Sequence, residues 1–135
     1  METTRRSMAA HVQRLCDEHG IRVIDRKSYG GVAWKRERAI AIMPVKTQRT
    51  YIVALHEIGH IVGPGRSGTR LEQEAAAWRF VITESVVPLS STSYRRMRTY
   101  LESYLLRATR SKRMTIPEKG HEFWQTYALI MQRAG

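Results

Sequence analysis

The spacing of apolar and polar positions changes several times along the chain. From about residue 3 to 19, Met8, Val12 and Leu15 recur at helical spacing and Gly20 supplies a stop, which predicts a first helix. Next, Ile21, Val23 and Ile24 predict a strand, Ser28 to Gly31 a turn holding two glycines, and Val32 and Trp34 a second strand. After the charged turn from Lys35 to Arg38, Ala39-Ile40-Ala41-Ile42-Met43 predicts a third strand, ended by Pro44. Residues 21 to 43 therefore predict a small three-stranded antiparallel sheet, with the last strand available as an exposed edge.

The rest of the chain reads as helices. Thr47 is placed to cap one that runs to about Val62, where Gly63-Pro64-Gly65 stops it. A loop through Gly68 leads to a helix over about 69–86, ended by Pro88. Ser90 to Thr92 can cap a long helix reaching about Arg110, and Pro117 fits the first turn of a last helix striped by Phe123, Tyr127, Ile130 and Met131. One helix, a small sheet and then helices make an α+β fold. No repeat, low-complexity segment or long linker divides the chain. Residues 1–135 are expected to form one domain, with the helices from about 90 to 133 packed on it.

The helix from Tyr51 to Val62 carries the chemistry. Tyr51, Leu55, Ile58 and Val62 share one face, and Ile52, Ala54 and Ile61 surround it. A helix apolar nearly all round is a buried one. Its strongly polar residues are His56, Glu57 and His60, and buried ionisable groups are costly unless paired or bound to metal. His56-Glu57-Ile58-Gly59-His60 has the form His-Glu-x-x-His, which sets the two imidazoles one turn apart on one side, where both can bind a single Zn²⁺. Glu57 is rotated away from direct ligation and suits a general base acting on a water that the metal activates. Gly59 leaves room for close packing.

A catalytic zinc keeps three protein ligands and one open position. The following helix offers Glu72, Glu74 and Glu84. Leu71, Ala75, Trp78 and Ile82 form its core stripe, with Glu74 on the border, Glu72 beside Arg79 and Glu84 pointing away. Glu74 is the first choice for third ligand and Glu72 the second. His11, His19 and His121 read as surface or capping residues. Tyr127 or an arginine is a candidate to stabilise a tetrahedral oxyanion.

Composition adds a partner question. Of 135 residues, 23 are Lys or Arg and 12 are Asp or Glu, a net charge of +11 that attracts nucleic acid, acidic proteins or anionic surfaces without choosing among them. Cationic residues gather late in the chain, at Arg95, Arg96, Arg98, Arg107, Arg110, Lys112 and Arg113. The single cysteine, Cys16, has no disulfide partner within the chain and reads as a packing residue. With apolar stretches too short for a membrane span and no secretory leader pattern at Met1 to Arg6, the expectation is a cytoplasmic protein without a membrane partner.

The two motif pieces, His56-Glu57-Ile58-Gly59-His60 and Glu74-Ala75-Ala76-Ala77-Trp78, with Pro88 beyond, resemble the ImmA/IrrE family of metallopeptidases. The resemblance covers about residues 21 to 88. It implies a zincin-like, gluzincin-type minimal peptidase domain, with His56, His60 and Glu74 as zinc ligands and Glu57 as general base. It further implies an endopeptidase acting on a protein substrate such as a repressor-like regulator of a phage or mobile element. The alternative is a regulatory module of the same fold that contacts DNA, or a DNA-bound regulator, through its basic surface without proteolysis.

Overall fold

A computed structural model describes residues 2–63 and 68–135. The chain runs α1 (Glu2–His19), β1 (Arg22–Asp25), β2 (Val32–Trp34), β3 (Ala39–Ile42), α2 (Gln48–Val62), α3 (Arg70–Glu84), α4 (Ser91–Arg110) and α5 (Glu122–Ala134). This is an α+β arrangement. No described helix is long and apolar enough to cross a membrane.

Local chemistry explains most boundaries. α1 ends where Gly20 enters the left-handed region at φ 63°. Thr47 caps α2 by accepting from the Thr50 amide, Ser90 caps α4 by accepting from Ser93, and Thr69 forms a reciprocal capping box with Glu72 at the start of α3. α2 closes on Gly63, whose amide donates to the Gly59 carbonyl. The expected Pro64 and Gly65 stop lies outside the described residues. α3 ends at Glu84, two residues before the expected end.

The sheet differs from the expected antiparallel one: it is mixed. Its order is β1-β3-β2, with β1 parallel and β2 antiparallel to β3. β3 is therefore the central strand and not an edge. The reason lies in its residues. Ala39, Ile40, Ala41 and Ile42 are all buried, so β3 is apolar on both faces and suits the middle of a sheet. β1, Arg22-Val23-Ile24-Asp25, is exposed throughout and suits an edge. β2 turns back onto β3 through a tight turn in which Arg38 takes a φ of 51°. Trp34 is exposed rather than alternating into the core.

α2 is the axis of the molecule. Every residue from Thr50 to Ile61 is buried, and α1, α3, α4, β2 and β3 all pack against it. Three further expectations differ from the structure. α5 begins only at Glu122, with His121 as its cap, so Pro117 lies ahead of the helix; there its carbonyl accepts from the Trp124 indole at 3.1 Å. The buried stripe of α5 is Phe123, Thr126, Ile130 and Ala134, while Met131 is 40 % exposed. His11 is buried in the core and not at the surface, with Nδ1 at 2.7 Å from the Tyr51 hydroxyl.

Candidate metal centre

α2 and α3 lie side by side, and this brings one turn of each together. His56 and His60, a turn apart on α2, present Nε2 to the Glu74 carboxylate on α3. His56 Nε2 is 3.0 Å from Glu74 Oε1, His60 Nε2 is 2.9 Å from Oε2, and the two Nε2 atoms are 3.1 Å apart. All three residues are buried, and their donor atoms lie within 4.8 Å of one another, so the cluster can hold a metal ion. Gly59 lets the helices approach: a Cβ there would stand 3.1 Å from the Phe80 side chain of α3.

With Glu74 ionised, the three contacts cannot all be satisfied by protons. Burial pushes the Glu74 carboxyl up, but hydrogen bonds from His56 and His60 and their charge outweigh this and hold it well below its ordinary value. An ionised Glu74 only accepts, so both imidazoles must donate to it from Nε2. The two Nε2–H groups then face one another at 3.1 Å with no acceptor between them. Removing one of those protons sets a lone pair against a carboxylate oxygen at about 3 Å. A single cation among the three donors relieves every contact, and two imidazoles with a carboxylate are a donor set suited to a divalent transition metal.

Glu57 is buried beside this cluster and is not one of the three converging residues. Burial is the largest influence on its carboxyl and raises it above its ordinary value, with Glu74 adding to the rise and the two histidines opposing it. Gly31, in the β1–β2 connection, covers it. A Cβ at Gly31 would stand 2.6 Å from Glu57 Cγ and 2.8 Å from Oε2.

Two cavities meet at the cluster. The larger, about 610 Å³, is bounded by β2 on one side and by Arg70 and Tyr104 on the other. The smaller, about 240 Å³, extends past Trp78 towards Tyr100 and Arg107 on α4. His56, Glu57, Glu74, Gly31 and Tyr104 line both. The Arg70 guanidinium lies 5.4 Å from the Tyr104 ring centroid, and Tyr104, with the nearby Glu74 and Glu57, holds it above its ordinary value. Trp78 packs on His56 with ring centroids 4.0 Å apart.

The other candidates lie elsewhere. Glu72 spends Oε1 on the Thr69 amide at 3.1 Å, and its Oε2 is 3.4 Å from His121 Nε2. It is committed to capping and faces α5. Glu84 is exposed at the end of α3. Tyr127 donates to Glu102 at 2.8 Å and lines neither cavity. His121 is the α5 cap and His19 is exposed at the end of α1. Cys16 is buried, which pushes its thiol up to about 11 and fits a packing role.

Gly31, Arg70 and Tyr104 were not among the sequence candidates. Arg70 precedes Glu74 by one helical turn and is legible from that spacing. Nothing local marks Tyr104, which reaches the cleft only because α4 packs across α3. Comparison of the chain with protein-family models, curated proteins and solved structures finds no match to any of them. The functional reading therefore rests on the site itself.

Proposed function

We propose that this chain is a zinc-dependent endopeptidase of the ImmA/IrrE type, cleaving a peptide bond in a protein substrate. The observation that carries the reading is the convergence of His56, His60 and Glu74 on one point, with Glu57 buried beside it and a cleft open to all four. Donor atoms ~2.1 Å from a tetrahedral zinc stand ~3.4 Å apart, near the separations of the three side chains here. Zinc bound there would supply Lewis acidity to a scissile carbonyl and to an attacking water.

The chain's own residues supply the rest. Glu57, raised by burial, is suited to take a proton from the water and return it to the leaving amine. Arg70 and Tyr104 line the cleft and are suited to meet negative charge developing on the carbonyl oxygen. The peptide itself is best accommodated along β2, which is hydrogen-bonded to β3 on one side and lines the cleft through Val32, Ala33 and Trp34. Backbone pairing to such an edge holds an extended segment with little dependence on its side chains. β3, being central, offers no such edge.

Purified protein should carry about one zinc per chain, as one three-ligand site requires. Glu57→Gln should keep the metal and lose cleavage of a proteome-derived peptide library read by mass spectrometry. Full cleavage by chelator-treated, metal-free protein would exclude the reading. Regulation through the basic surface without proteolysis leaves the three converging donors unexplained, and salt-sensitive DNA binding that survives His56→Ala is the result that would favour it.

A further inference from the structure

A third cavity, of about 280 Å³, has different walls: Arg49, Thr92, Arg95, Arg96, Thr99 and Tyr100. Three guanidinium-bearing side chains face it and no described carboxylate does. Arg49 belongs to the first turn of α2, and the other five residues come from the first half of α4. Neither helix has an acid in its first turn to offset the cationic charge. An arginine in a first turn also opposes the helix dipole.

Two of the arginines are anchored, Arg49 at Tyr29 and Arg95 in the α4–α5 contact. The Arg49 guanidinium lies over the Tyr29 ring, 3.6 Å from its centroid, and its buried Nε has no hydrogen-bond partner among the described residues. Arg95 is fixed by the Ala134 carbonyl at 3.1 Å and Thr92 Oγ1 at 3.0 Å. Arg96 is half-buried. Thr92 accepts from Arg95 and so keeps its own proton to donate, whereas Thr99 already donates to the Arg95 carbonyl at 3.0 Å.

We propose that this cavity binds a phosphate group, held by Arg49, Arg95 and Arg96 with the Thr92 hydroxyl. Like charges gathered at one cavity are stabilised by an anion between them. A carboxylate offers two oxygens, which a single arginine can satisfy bidentately. Three guanidiniums from two helices suit the larger number of acceptors on a tetrahedral oxyanion. The site is separate from the metal centre, sharing only Tyr100 with the cavities there, and does not depend on the peptidase reading.

Calorimetric titration of the full chain with inorganic phosphate, at fixed ionic strength balanced by chloride, should show saturable binding of one phosphate per chain. Arg49→Gln and Arg96→Gln should each weaken binding by about tenfold or more, the consequence of losing one charge-assisted hydrogen bond. Arg110→Gln, on α4 beyond the cavity, should leave it unchanged. Arg49→Lys, which keeps the charge and the helix but loses the planar fork, should fall between, and circular dichroism checks that every variant is folded. Adenosine monophosphate and a short single strand of DNA identify what carries the group: the same arginine dependence with all three probes supports recognition of phosphate itself. Absence of saturable binding, equal loss in Arg110→Gln, binding of the DNA strand alone, or phosphate uptake unaffected by Arg49→Gln and Arg96→Gln would overturn the proposal.

Discussion

A methyl group at position 31 would stand 2.6 Å from Glu57 Cγ, too close for either atom to stay where it is. Gly31→Ala should therefore displace the carboxylate while leaving His56, His60 and Glu74 in place. The expected result is unchanged zinc content with turnover lowered roughly 10- to 100-fold, since ~1 Å of misplacement can cost that much. Metal analysis alongside single-turnover kinetics checks it; parallel loss of metal would show that the loop holds the cluster and not the base. Legibility at this scale divides sharply. His56, Glu57 and His60 stand out because their helix is otherwise apolar, and Glu74 because it borders the core stripe of the next helix. Gly31 leaves no such mark, because its constraint comes from a side chain 26 positions away that only tertiary packing brings close. The burial of His11 leaves no local mark for a similar reason: its partner, Tyr51, is on another helix.

The helices were legible as elements because capping residues and apolar stripes are local signals. Thr47 and Ser90 cap where their positions predict, and Thr69, expected as the first residue of α3, is its cap. Strand order was not legible, because pairing depends on which strand is buried on both faces. The run Ala39-Ile40-Ala41-Ile42 holds no polar residue and in that sense announces a central strand, while sequence proximity suggests a simple meander. Capping also separates the two glutamates at the start of α3. Thr69→Ala removes the acceptor for the Glu72 amide and should cost about 1 kcal/mol, measured by urea unfolding. Glu72→Gln should leave zinc affinity close to that of the parent, whereas Glu74→Gln should lower it by well over tenfold, as a competition titration against a chromogenic chelator would show.

For the molecule as a whole, His11 couples stability to pH. Burial lowers its pKa below the ordinary 6.5, with Arg14 reinforcing the shift and Glu84 and Glu18 opposing it. The unfolded chain therefore binds this proton at a higher pH than the folded one. Its contribution to stability is complete above about 6.5 and is lost as the pH falls towards the lower folded value. His11→Gln, compared with the parent by urea midpoint between pH 7.5 and pH 5, should show a shallower decline on the acid side. An equal slope in the two proteins would assign the acid sensitivity to other groups. The net charge of +11 acts at the same scale, but the structure gives it local form: a cavity lined by arginines with no described acid, and a cleft whose acids, apart from Glu37, are the two at its floor.

The indole of Trp78 is 2 % exposed and lies 4.0 Å from the His56 imidazole. Trp34 is 40 % exposed and Trp124 is half-buried on α5, so Trp78 should emit at the shortest wavelength of the three. Its brightness should follow the electronic state of the imidazole it packs on. Loading zinc into chelator-treated protein should therefore change the blue edge of the emission, and Trp78→Phe should abolish that change. The chain carries its own optical probe of the centre, one that reads occupancy before any substrate is known.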